Sequence, residues 1–207
     1  MIVRPLLGCC SCAETRRASR TGRLASWLAV VLLFVAAVFP GRGQDGALPE
    51  SEVKAVFLYN FAKFIQWPPR CFDGPKAKLV IGIIGTDSLG KYLDQLTGKE
   101  INGHPIEVKR LPPNAFEEAK RCHVLFIGED RHEAQALVQR LQKAESDVLT
   151  VTDEVDGFPS VGAVINLVKS SDNRVRFEIN VDAARRAELK INSSLLNLAR
   201  IVRDGKA

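Results

Sequence analysis

The stretch nearest to a chemical motif is Gly85-Thr86-Asp87-Ser88-Leu89-Gly90-Lys91-Tyr92. It matches the phosphate-cradling pattern G-x-x-x-x-G-K-[ST] at all but the last position. That position needs a short hydroxyl beside Mg²⁺, and Tyr92 is too long to supply it. Asp87 also places a negative charge where a negative ligand would sit, so the stretch reads as a plain strand-to-helix turn. His104, His123 and His132 make no metal spacing with one another or with the cysteines. His132-Glu133 lacks the second histidine of a zinc-protease helix. Asp153, Glu154, Asp156 and Gly157 resemble a fragment of a calcium loop without its alternating carboxylates or closing glutamate, and read as a solvated turn. No serine occupies a G-x-S-x-G turn. The residues therefore give no support for catalysis, and no cofactor or metal is expected.

Aromatic residues are the feature that stands out. Phe57, Tyr59, Phe61, Phe64 and Trp67 fall within eleven residues of a chain holding 14 aromatics. Val53, Phe57, Phe61, Phe64 and Ile65 recur at three and four residues, so most of this stripe is a helix face packed on a sheet. Tyr59 and Trp67 carry polar tips and are the better candidates for a partly exposed contact surface. Asn60 lies beside the apolar stripe and needs a hydrogen-bond partner, for which Asn166 and Asn180 are candidates. Arg174-Val175-Arg176-Phe177-Glu178-Ile179-Asn180 alternates polar and apolar residues, as a half-buried strand near a sheet edge does. Phe177, Glu178 and Asn180 join Tyr59 and Trp67 as the candidate partner-binding residues. Reversing Glu178 to Arg is expected to abolish partner control at little cost in stability.

The elements that must position these residues follow from the pattern. The aromatic helix starts near Ser51 and is stopped by Pro68-Pro69. Leu79–Gly85, Val124–Gly128 and Val148–Val151 are short apolar runs, as strands buried on both faces are. Helices are expected over Ser88–Leu96, after Asn114, over His132–Ala144, Asp182–Ala187 and Ser194–Arg203. Ile101–Leu111 holds two strand-like pieces around the Asn102-Gly103 turn, and Gly162–Val168 with Arg174–Ile179 forms a late hairpin. Alternating strands and helices give the fold class: a single-domain α/β layered sandwich. Its central sheet is mainly parallel, with helices on both faces and a late antiparallel hairpin.

The 207 residues carry a formal charge of +5, which by itself points to a phosphate-binding partner. Residues 1–44 contain six arginines and one acid, which leaves 23 basic and 23 acidic residues in 45–207. A neutral domain has little attraction for a phosphate backbone, so nucleic acid is not an expected partner. Within the leader, an Arg-rich stretch precedes an uncharged run from Leu24 to Phe39, followed by Pro40, Gly41 and Gly43. Basic, apolar, then small is the order of a secretory signal, and the run is shorter than the roughly 20 residues a spanning helix prefers. Residues 1–44 are thus a signal peptide or an uncleaved N-terminal anchor, and 45–207 an exported domain, periplasmic in a bacterium. Cys71 and Cys122 remain in that domain. An even pair in an oxidising compartment is a candidate disulfide, the alternative being two small buried thiols.

Several blocks then occur in order. They are VKAVFLYNFAKFIQWP (Val53–Pro68), KEINGHPIEVKRL (Lys99–Leu111), CHVLFIG (Cys122–Gly128), LTVTDEVDGF (Leu149–Phe158), GAVINLV (Gly162–Val168) and VRFEINVDAARRAELKINSSLLNLARIV (Val175–Val202). Together they resemble the YfiR-like family of exported bacterial proteins over residues 50–203. The resemblance implies a non-enzymatic periplasmic regulator that forms homodimers. It represses an inner-membrane diguanylate cyclase by binding the periplasmic region, lowers cyclic di-GMP output, and is sequestered by an outer-membrane lipoprotein. Other family domains lie beside sensor kinases. Cys122 matches a cysteine common in the family, whose disulfides link oxidation to repression, while a second cysteine pair of some members is absent here. The rival reading is a periplasmic small-ligand sensor feeding a sensor kinase. Its solute would lie at the carboxyl ends of the parallel strands, between Gly85–Ser88 and Gly128–Asp130.

Overall fold

A computed structural model describes residues 48–205. The signal segment expected over residues 1–44 lies outside the described residues. Among the described residues, no helix is long and apolar enough to cross a membrane.

Helix α1 (Glu50–Phe64) opens after Pro49, with Glu50 and Glu52 in its first turn, where carboxylates face the positive end of the helix dipole. Ser51 lies inside the helix rather than capping it. The chain turns extended at Ile65, and β1 (Ile65–Gln66) pairs antiparallel with β9 (Lys190–Ile191). The helix therefore ends at Phe64, four residues before the expected stop at Pro68, because a strand pairing from the far end of the sequence claims Ile65 and Gln66. A 3₁₀ turn follows at Pro69–Cys71. Next come β2 (Leu79–Gly85), α2 (Lys91–Asp94), β3 (Glu100–Ile101) and β4 (His104–Leu111). They are followed by α3 (Phe116–Ala119), β5 (Val124–Gly128), α4 (Arg131–Lys143), β6 (Leu149–Asp153) and α5 (Phe158–Val161). The chain then runs through β7 (Ile165–Lys169), β8 (Val175–Asn180), α6 (Val181–Arg186), β9, α7 (Ser193–Leu196) and β10 (Arg200–Val202).

The main sheet has the order β10-β8-β7-β6-β5-β2-β4-β3. β4, β2, β5, β6 and β7 are mutually parallel. Taken in chain order these five strands lie 2-1-3-4-5, a doubly wound arrangement whose strand order reverses between β2 and β5. β8 runs antiparallel to β7, which is the late hairpin, and β3 runs antiparallel to β4. One face of the sheet packs Ile81, Ile83, Val124, Phe126 and Val151 against Leu58, Phe61 and Ile65. The other packs Leu125 and Ile127 against Leu137, Val138 and Leu141 of α4 and Phe158 and Val161 of α5. The α/β layered sandwich read from the sequence is the observed architecture.

Two expectations fail in ways that matter for the site. Ser194–Arg203 is not one helix: α7 stops at Leu196, and β10 pairs parallel with β8, Arg200 opposite Glu178 and Val202 opposite Asn180. Closing the open backbone edge of β8 outweighs helix propensity in this segment. β8 is therefore an interior strand, not an edge. Secondly, α1 is rotated from the expected stripe: Lys54 is buried and Val56 is exposed. The cause is electrostatic. Lys54 Nζ lies 2.6 Å from Glu50, 2.7 Å from Asp153 and 3.2 Å from Glu154, which ties α1 to the end of β6.

Candidate partner-contact surface

The alternating face of β8 is covered on both sides. Phe177 is buried with its ring centroid 5.0 Å from Phe61 and 5.3 Å from Phe57, two aromatic contacts that hold α1 on the sheet. Glu178 is 4% exposed and ion-paired with Arg200, whose register position is directly opposite. Asn180 is fully buried: its side-chain oxygen accepts from the N–H groups of Asp182 and Ala183, capping α6, and its amide donates to Asp204 at 2.8 Å. These three residues shape the surface from beneath. Glu178→Arg would bury a cation at position 178 directly opposite the more exposed Arg200, with its carboxylate partner gone, so a large stability loss replaces the small one expected from the sequence.

The surface above them is made by residues that the helical reading of Ser194–Arg203 concealed. Leu198 is 77% exposed and Ile201 45% exposed. Leu198 rims an apolar groove of about 180 Å³ lined by Phe57, Asn60, Phe64, Phe177 and Leu195. It also rims a shallower depression of about 520 Å³ that includes Arg176, Phe177, Glu178 and Arg200. The signal available in the sequence was the β-branched pair Ile201-Val202 after Ala199-Arg200, a strand-like ending to an otherwise helical run. Tyr59 is half-buried on α1. Asn60 faces the groove rather than pairing with Asn166 or Asn180. Asn166 instead accepts from Thr152 at 2.8 Å and from the Val155 N–H at 3.2 Å.

Trp67 lies elsewhere. Its indole N–H donates to His123 O at 3.2 Å, and it lines a cavity of about 340 Å³ with Cys71, Cys122, His123 and Asp147. Both cysteines are free thiols here. Cys71 Sγ lies 3.4 Å from Asp147, and Cys122 Sγ lies 3.4 Å from Glu118 O. Cys122 packs so closely on β2 that a Cβ at Gly82 would come within 2.6 Å of its sulfur. Burial, with Asp147 beside it, pushes the Cys71 thiol up to about 12, and burial pushes Cys122 up to about 11. Both stay protonated, which is the reverse of an activated nucleophile.

The crevice of the rival ligand reading is filled by backbone. Thr86 N–H donates to Gly128 O at 2.8 Å, and a Cβ on Gly128 would collide with Thr86 O. Asp87 itself accepts from Leu89 N–H at 3.1 Å and Gly90 N–H at 2.8 Å, taking the donors that an anion would need. Among the described residues, no group of three His, Cys, Asp or Glu is placed to hold a metal ion.

A family model described as YfiR/HmsC-like matches residues 51–200, which is most of the chain. The chain belongs to the YfiR/HmsC-like family. This is a family of periplasmic, regulatory and non-catalytic proteins linked to cyclic di-GMP signalling. A search of curated proteins finds no match. The matched span runs from the first turn of α1 to the first residue of β10, so it contains the groove and the Leu198 rim.

Proposed function

We propose that the exported domain, residues 45–207, binds the periplasmic region of an inner-membrane signalling protein, a diguanylate cyclase, and represses cyclic di-GMP production. Family membership supports the pathway, and one observation carries the contact: Leu198 stands 77% exposed beside a groove lined by Phe57, Phe64 and Phe177. A leucine left in water beside an apolar groove is stabilised when a partner covers both. Repression then works by population shift, through tighter binding to the inactive state of the cyclase. On this reading Tyr59 and Leu198 are direct contacts, and Phe177, Glu178 and Asn180 act by holding the groove in shape. Homodimerisation and sequestration by an outer-membrane lipoprotein belong to the same proposal, as does a Cys71–Cys122 bridge that locks the Trp67 cavity.

The test places a photo-crosslinking side chain at position 198 of the full-length protein, followed by mass spectrometry of membrane-bound products. A cyclase with a periplasmic domain should be recovered. With the crosslinking side chain placed instead at position 59, Leu198→Asp should abolish both that crosslink and repression, with the thermal midpoint unchanged. Recovery of the homodimer alone, or full repression by Leu198→Asp, refutes the proposed contact.

A further inference from the structure

His123 uses every polar atom it has. Its N–H donates to Val80 O at 2.9 Å, and its carbonyl accepts from Leu149 N–H at 2.9 Å and from the Trp67 indole. On the ring, Nδ1 accepts from Val80 N–H at 3.1 Å. That bond fixes the tautomer: the proton sits on Nε2, which donates to Cys71 O at 3.0 Å. The imidazole thus joins the first residues of β2 to the segment before that strand, and only its neutral form can do so.

A second imidazole grips the same segment. His104 Nδ1 donates to Ala77 O at 2.7 Å, since a carbonyl can only accept. Between the two rings lies Phe72, stacked on His104 at 3.9 Å and on His123 at 4.4 Å, with Trp67 edge-on to His123 at 6.0 Å. Residues 68–77 hold no strand and no α-helix, so they are fixed by these two hydrogen bonds, the ring stack, and the more exposed ion pairs of Arg70 with Asp147 and Glu188.

We propose that the His104–Phe72–His123 stack is an acid-released clasp, in which protonation of His123 frees residues 68–77 from the amino ends of β2, β4 and β5. A proton on Nδ1 would face the Val80 N–H, setting donor against donor and leaving a buried N–H without a partner. The new charge would sit in a site that is 6% exposed. Burial holds the ring below the ordinary imidazole range; the Cys71 carbonyl and Asp73 pull the other way, and His104 adds to the lowering. The other ionisable groups lining the same cavity are Cys71 and Arg70 on the segment, Lys120, Arg121 and Cys122 before β5, and Glu145 and Asp147 before β6. The Asp147 carboxylate is taken by Arg70 at 2.6 Å, so it is committed to a cation already present. A histidine lowered in the folded state leaves stability unchanged above its unfolded value and erodes it as pH falls below that value. An exported chain meets the pH of the medium, so the clasp reads the surroundings. It does not depend on which partner the Leu198 surface contacts.

The test uses the full chain with ¹⁵N-labelled histidine. His123 should titrate below the ~6.5 of a free imidazole. In a Trp27→Phe background Trp67 is the sole tryptophan, and its quenching by acrylamide should rise as the pH falls below about 6.5, the free-imidazole value beneath which a histidine lowered by burial takes its proton. Far-ultraviolet circular dichroism should hold constant through that step. His123→Asn, whose carboxamide oxygen can still accept from Val80 without titrating, should abolish the step. If that variant fails to fold, the titration of the unmodified chain still decides. His123 titrating at or above the free value overturns the proposal. So does a quenching step that survives in His123→Asn, or one that coincides with loss of the whole fold.

Discussion

Lys54→Met is the perturbation that best tests how α1 is held. Lys54 is 4% exposed and its ammonium meets three carboxylates, Glu50 at 2.6 Å, Asp153 at 2.7 Å and Glu154 at 3.2 Å. Burial alone would lower its pKa; the contacts with Asp153, Glu50 and Glu154 outweigh that and raise it, so it is charged at every physiological pH. Breaking a buried pair by removing one partner costs about 3–5 kcal/mol. Here the lower end applies. Glu50 and Glu154 are partly exposed and return to water, whereas Asp153 is mostly buried and keeps only its bond from Ser88 Oγ at 2.7 Å. The expected loss is therefore about 3 kcal/mol, a fall of roughly 1–3 M in the urea midpoint at the usual dependence for a small domain. Adding Asp153→Asn should restore most of it, because the amide oxygen still accepts from Ser88 and leaves no charge behind. A single variant costing under about 1 kcal/mol, the range of a surface pair, would refute the reasoning. A double variant as unstable as the single would do the same.

Two further outcomes follow from the same geometry. Glu50 is held at about 2 instead of 4.5, by Lys54 first and Lys169 second, so its contribution to stability is present above about 4.5 and is lost as pH falls toward 2. Urea melts of the protein and of Glu50→Gln should converge across that window, and a constant gap would refute the assignment. Gly128→Ala should cost about 3 kcal/mol, the upper part of the range for overpacking, because the new methyl meets the Thr86 backbone, which cannot yield as a side chain would. A thermal midpoint unchanged in that variant would show that the β2–α2 loop moves freely.

What the sequence disclosed and what it hid divide by the range of the interactions. LVIGIIG and VLFIG announce β2 and β5 because strands covered on both faces are apolar throughout, a property each run carries by itself. The His132–Ala144 helix was legible too; its cap, Asp130, accepts from the His132 and Glu133 N–H groups three residues at most away. By contrast, Lys54 is 99 residues from Asp153, and nothing in the local spacing of α1 says that a lysine turns inward. The Ser88–Leu96 helix shrinks to Lys91–Asp94 because Asp87 binds the Leu89 and Gly90 N–H groups and Arg110 from β4, which shapes a turn where periodicity indicates helix. Phe177, Glu178 and Asn180 were recognisable as a strand, but their exposure depended on whether anything paired beyond them.

That pairing also explains why Leu198 is left in water. In the β8–β10 register Arg200 lies opposite Glu178 and pairs with it, and α7 must end at Leu196 for Arg200 to arrive there. The intervening turn, closed by Leu198 N–H to Leu195 O at 3.2 Å and Ala199 N–H to Leu196 O at 3.2 Å, leaves no inward position for the leucine. Burying such a side chain is worth about 1.5–3 kcal/mol, a gain the free domain forgoes and a partner can recover. The exposed leucine and the buried glutamate are thus one device, the second holding the first in place. A Glu178 variant that loses repression therefore bears on contact only if its stability is intact; where stability falls as well, the loss reports the register of β10, and Leu198→Asp is the substitution that isolates the surface.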